Sequence, residues 1–154
     1  MGIPDFPEAD DSLLADEKRM VANFKKAVLL TAGGAAQKLG LEMAKHQETL
    51  MHIADVVIDT YLAESVLLRT LKLAELKGAD KVAEQLAMCQ LFIHVAAARI
   101  HKHAKEAVNN FAEGDERQAM LMGAKRFSKN TNLNTAELRK VVAKRMIGEG
   151  KYPY

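Results

Sequence analysis

Residues 46–77 read HQETLMHIADVVIDTYLAESVLLRTLKLAELK, and this stretch decides the fold. It holds no proline and no glycine. Leu50, Ile53, Ala54, Val57, Ile58, Tyr61, Leu62, Ser65, Leu68 and Leu71 recur at steps of three and four, which lays one apolar stripe along an α-helix. A helix of about 30 residues is about 45 Å long and needs other rods beside it. Residues 80–112 form a second such run, with Val82, Leu86, Cys89, Ile93, Ala96 and Ile100 on one face. The expected fold is therefore all-α: an up-and-down antiparallel bundle of three long helices plus two shorter ones in a fourth layer.

The other helices follow outward from this pair. Leu14, Met20, Val21, Phe24, Val28, Leu29, Ala32, Ala36, Leu39 and Met43 predict a first helix from a cap at Asp11 or Ser12 to about Lys45. A tight Lys77-Gly78-Ala79 connection leads into the helix that starts near Asp80, and Gly114 is expected to close that helix in a left-handed conformation. A fourth helix is expected over 115–129. After an asparagine-rich loop, Asn134 and Glu137 form a capping-box pattern for a fifth, running to about Ile147. The organisation is an acidic lead-in or linker at 1–11, a bundle at 12–148 and a tail at 149–154. No strand pattern and no internal repeat occurs.

Composition narrows the class. Apolar residues make up 49% of 154, too many for a disordered chain and enough for one cored domain. No apolar run approaches a membrane span, and the start MGIPDFPEADD lacks the basic and apolar regions of a signal peptide. A cytoplasmic location fits the lone Cys89, which sits on the apolar face of its helix and reads as a buried, inert thiol.

The net charge of +2 is unevenly spread. Asp5, Glu8, Asp10, Asp11, Asp16 and Glu17 crowd the start, and Lys125, Arg126, Lys129, Arg139, Lys140, Lys144, Arg145 and Lys151 the end. The basic end has few aromatic residues to stack on bases, so it reads as a solvated or intramolecular docking face and no nucleic-acid partner is expected.

Reactive residue types form no catalytic pattern. Thr31-Ala32-Gly33-Gly34-Ala35-Ala36 lacks the spacing of a phosphate loop, and its two mid-helix glycines read as a close helix-packing contact, with a kink at the pair as the alternative. The histidines lack the Glu-x-x-His pairs of a bundle di-metal site, and His101-Lys102-His103 lies in a lysine-flanked stretch expected to be solvated; His94 shares a face with His101. Ser12, Ser65 and Ser128 sit in no nucleophile elbow. Asp55 and Asp59, one turn apart with Glu64 beyond, read as a solvated or salt-bridged face. Met43, Met51, Met88, Met120, Met122 and Met146 read as core fillers. No catalytic, cofactor-binding or metal-binding residue is assigned.

A family resemblance adds what periodicity cannot. Lys45-His46-Gln47, Ile53-Ala54-Asp55-Val56-Val57-Ile58-Asp59-Thr60-Tyr61 and Glu64-Ser65-Val66-Leu67-Leu68-Arg69 resemble the extra C-terminal helical domain of long acyl-CoA dehydrogenases. These are enzymes similar to the very-long-chain mitochondrial form and its bacterial relatives. Asn23-Phe24-Lys25-Lys26-Ala27 and Ala96-Ala97-Ala98-Arg99-Ile100 fit in the same order, and the resemblance covers about residues 12–148.

It implies a parent flavoprotein using FAD to remove two hydrogens from a fatty acyl-CoA, with base and flavin cradle in upstream domains. This chain is then an inactive C-terminal fragment with no cofactor of its own. Its partners would be the catalytic domains of its parent chain, within a homo-oligomer, and the acidic lead-in argues against membrane attachment. The alternative is a stand-alone helical adapter that binds partner proteins. A surface left bare for docking is expected on the first helix, where Phe24, Val28, Leu29 and Leu30 broaden its stripe.

Overall fold

A computed structural model describes residues 12–151; the acidic lead-in 1–11 and the last three residues of the expected tail lie outside the described residues. Five α-helices carry the chain: α1 (Ala15–Leu39), α2 (Gln47–Lys77), α3 (Ala83–Phe111), α4 (Gly114–Phe127) and α5 (Thr135–Glu149), with no strand among the described residues. Asp59 faces Arg99 while His52 faces His103, so α2 and α3 run antiparallel. Lys38 reaches Glu116, and Leu30 lies against Gly123, so α4 runs antiparallel to α1. The expected bundle of three long helices and two shorter ones is what the chain forms. Its fourth layer is uneven. α4 packs on α1 and α3, whereas α5 lies mainly against α3 and buries no residue completely.

Boundaries show where local chemistry overruled periodicity. α1 stops at Leu39, not Lys45, because Gly40 turns to φ +50° and donates its N–H to Ala36. A 3-10 turn over Gly40–Lys45 follows. The expected cap at Ser12 is not made by its side chain: Leu14 occupies the cap position at φ +57°, and the Ser12 carbonyl accepts from Ala15 N–H at 3.1 Å. Asp11 is outside the described residues. Gly78 takes φ +91° as the tight connection requires, but a 3-10 turn over Ala79–Lys81 precedes α3. Gly114 has the expected left-handed φ of +54°, yet it opens α4; α3 has already ended at Phe111, with Ala112 extended. Asn134 does cap α5, its side chain accepting from Glu137 N–H at 3.3 Å.

The core is built on small residues. Ala27, Ala63, Ala96, Ala97 and Ala104 are wholly buried around Phe24, Val56, Ile93 and Ile100. Short side chains at these contacts let helix axes approach toward the lower end of the 8–10 Å range. A second cluster gathers Ala35, Ile53, Ala107, Val108 and Phe111. The threonines on buried faces satisfy themselves locally: Thr31 donates to Ala27, Thr60 to Val56 and Thr70 to Val66 carbonyls.

The two glycines of α1 differ. A Cβ on Gly34 would meet the Met120 terminal methyl and, at 3.3 Å, the Phe111 ring, whereas one on Gly33 meets nothing within 4 Å. Close packing therefore belongs to Gly34 alone. Gly34→Leu should lose about 1–3 kcal/mol by overpacking. Gly33→Leu should not, and Gly33→Ala should gain up to about 1 kcal/mol from helix propensity. Urea midpoints check this: a Gly34→Leu midpoint at or above wild type refutes the contact.

Candidate functional site

α2 is apolar on two opposite sides. The side turned into the bundle carries Thr49, Ile53, Val56, Thr60, Ala63, Leu67, Thr70 and Ala74, all buried. The stripe read from the sequence is mostly the other side. Of its ten residues only Ile53 is buried and Leu50 and Leu71 are half-buried; Ala54, Val57, Ile58, Tyr61, Leu62, Ser65 and Leu68 face outward. The reason is physical: periodicity shows that a helix has a face, and when both faces are apolar it does not say which one is covered. The covered face is the one with smaller residues, because these permit close approach to α3.

Met51, Ile58, Tyr61, Leu62, Leu68 and Leu76 thus leave an exposed apolar band along α2, with Tyr61 69% and Leu68 58% accessible. The bare surface expected on α1 is not there. Phe24 is fully buried, Val28 and Leu30 pack on the core, and Leu29 alone of the four is exposed. The methionines also divide: Met43 and Met120 pack on the second cluster, while Met51, Met122 and Met146 are exposed and fill no core gap.

Between α2 and α3 runs a polar seam. Arg99 donates through Nε to both Asp59 oxygens, at 3.0 and 2.9 Å, and through Nη2 to Oδ1 at 2.6 Å. Its charged form is favoured by those bonds, and its guanidinium also lies 5.7 Å from the Phe92 ring centre. One turn away Asp55 meets His103 at 3.2 Å, and His103 meets His52 at 3.0 Å. The salt-bridged reading holds for Asp59, and Asp55 is half-buried against His103. The solvated reading of His101 and His103 does not hold: His103 has 19% of its side chain exposed, and His101 is half-buried with Nδ1 2.9 Å from Ser128 Oγ. The Ser128 hydroxyl donates to Ala124 O at 2.6 Å, so His101 Nδ1 carries the proton it shares with Ser128. Ser65 likewise donates to Tyr61 O. Both hydroxyls are spent on helix carbonyls. His94 packs inside with Nδ1 buried and unpartnered, beside a carbonyl that accepts from Asn130.

Cys89 is wholly buried in the main core cluster. Desolvation pushes its thiol up to about 11, against a weaker opposite pull from a hydrogen bond with Thr70. A raised acid pKa keeps the proton in the folded state, so the unfolded chain binds fewer protons once pH passes 9.0. The contribution of Cys89 is present below that value and lost as pH rises toward 11. Relative to Cys89→Ala, wild type should lose about 2 kcal/mol between about pH 8 and about pH 10.5. Paired urea titrations measure it, and an unchanged difference contradicts burial of the thiol.

No helix among the described residues is long and apolar enough to cross a membrane. The basic end of the chain is partly engaged within the bundle, with Arg145 reaching Glu84 at 3.2 Å. What these residues present is an exposed apolar face on α2 beside a polar seam to α3. Gly33 and Gly34 lie in mid-helix and make no phosphate cradle.

Comparison with known proteins places this arrangement. The model of the acyl-CoA dehydrogenase C-terminal domain matches residues 23–126. A Bacillus subtilis (strain 168) protein named "Probable acyl-CoA dehydrogenase" is 34% identical over 145 residues, which is 94% of this chain and 24% of that protein. The crystal structure of an acyl-CoA dehydrogenase complexed with FAD from Bacillus anthracis superposes with a TM-score of 0.91 at 34% identity, over 99% of this chain and 27% of that one. The chain spans about a quarter of the length of these relatives. A five-helix bundle matched from end to end, and over two thirds of its length by one family model, belongs to the family of acyl-CoA dehydrogenase C-terminal domains.

Proposed function

We propose that this chain is the non-catalytic accessory domain of an FAD-dependent acyl-CoA dehydrogenase of fatty acyl-CoA oxidation. It packs over the catalytic domains of its parent chain and takes part in subunit assembly. The observation that carries the reading is the outer band of α2, where Ile58, Tyr61, Leu62 and Leu68 stand exposed opposite a complete buried face. A contiguous exposed apolar band of this kind marks a surface that a partner surface covers. About three quarters of the length of each relative lies beyond the part this chain matches, and there is the surface to cover it. FAD and the catalytic base belong to that remainder.

Alone, the domain should hide the band by pairing with a second copy, most simply about a two-fold axis. Sedimentation at rising concentration should show a dimer, and Ile58→Glu or Tyr61→Glu should shift it to monomer. The same preparation mixed with FAD should stay colourless after desalting and turn over no acyl-CoA. A wild-type monomer at high micromolar concentration overturns the docking role in favour of a self-sufficient adapter, and a stoichiometric flavin spectrum overturns the non-catalytic one.

A further inference from the structure

The strongest feature that the docking face does not use is the junction of His52, Asp55 and His103. His52 and Asp55 stand three residues apart on α2, and His103 reaches them from antiparallel α3. Among the described residues they form the one group of three ligating side chains whose donor atoms all lie within 4.8 Å of one another. His52 Nδ1 and His103 Nδ1 are 3.0 Å apart, and His103 Nδ1 is 3.2 Å from Asp55 Oδ2. The two rings are tilted by 43° with centres 5.3 Å apart, so their Nδ1 edges meet and their faces do not stack.

Protons alone satisfy this junction poorly. If His103 Nδ1 carries a proton, that one proton serves both the His52 nitrogen and the Asp55 oxygen. If instead His52 donates, the His103 lone pair is left facing the carboxylate. A cation among the three atoms satisfies all of them together. The spacing agrees with this: ligands about 2.0–2.1 Å from a divalent ion sit roughly 2.9 Å apart at a right angle and roughly 3.4 Å apart at the tetrahedral angle. The two separations at His103 Nδ1 fall between these values, and the donor atoms of His52 and Asp55 lie within 4.8 Å of one another.

We infer that His52, Asp55 and His103 bind a divalent transition-metal ion of the zinc class, clamping α2 to α3. Two imidazoles and one carboxylate suit such an ion better than the all-oxygen sets of Mg²⁺ and Ca²⁺. Asp55, with 40% of its side chain exposed, gives the ion access and leaves room for water to complete the coordination. The clamp stands independently of the accessory-domain reading, since all three ligands lie within this chain.

Calorimetry on the metal-free chain should show one Zn²⁺ bound per chain. Saturating Zn²⁺ should raise the thermal midpoint by about 5 °C. Co²⁺ in its place should give visible ligand-field absorption. His52→Ala and His103→Ala should each weaken Zn²⁺ binding at least roughly tenfold, and Asp55→Asn less. Helical circular dichroism without metal tells a lost site from a lost fold. If either alanine variant fails to fold, imidazole NMR of wild type decides: Zn²⁺ should move the His52 and His103 signals and spare His101. No binding at about 1 mM Zn²⁺, binding untouched by both alanine variants, or signals moving at other histidines instead overturns the site.

Discussion

Phe24→Ala should cost about 3–5 kcal/mol of stability, a large part of what a domain of this size holds. The ring is wholly buried in the main cluster, which also holds the equally buried Ala27, Ala63, Ala96 and Ala97. Alanines cannot lean into a vacated space, so the cavity persists and the loss should fall in the upper part of the range. Phe24→Met, which keeps most of the volume on a flexible side chain, should cost much less. Urea unfolding with an unchanged slope is the measurement. A loss for alanine below about 1 kcal/mol shows that the site collapses and that the small-residue core is more plastic than its packing indicates.

Arg99→Ala should cost about 2–3 kcal/mol. Asp59 has 12% of its side chain exposed and takes three hydrogen bonds from Arg99, so removing the guanidinium leaves a nearly buried carboxylate without its counter-charge. The discount from the 3–5 kcal/mol of a fully buried pair reflects Arg99 itself, 41% exposed, where water screens the interaction. Arg99→Lys should recover only part of the loss, because a lysine cannot present the planar fork that meets both Asp59 oxygens. Asp59→Asn with Arg99→Ala should lose less than Arg99→Ala alone, the charge then being absent. If the double variant is as unstable as the single one, the seam acts through shape and not through charge.

Much of this was legible in the linear chain because helices are local. The periods of 46–77 and 80–112, the Asn134–Glu137 cap and the turn at Gly78 each depend on residues within one or two turns of one another. The inner packing face of α3 was legible for the same reason: Cys89, Ile93, Ala96 and Ile100, with Val82 just before the helix, recur at helical spacing and are all buried. The resemblance carried by 45–69 and 96–100 agrees with the family to which the chain belongs. α1 was overextended because a glycine at φ +50° ends a helix whatever apolar period continues beyond it.

The rest was decided by tertiary structure. α2 offers two apolar faces, and only the fit of its alanines and threonines against α3 selects the inner one, which leaves the stripe of larger residues exposed. Nothing local distinguishes Gly33 from Gly34; Phe111 and Met120, far along the chain, do so by lying against one of them. His52 and Asp55 share a helical face by spacing alone, but the nitrogen that completes the junction arrives 51 residues away from His52 on α3. Sequence by itself determined the helices and their order, since those rest on hydrogen bonds and periods within a few turns, and it carried the family only through the resemblance of its quoted stretches. Which faces meet, and therefore where a partner or an ion can bind, depends on contacts between distant residues and was decided only when the helices packed.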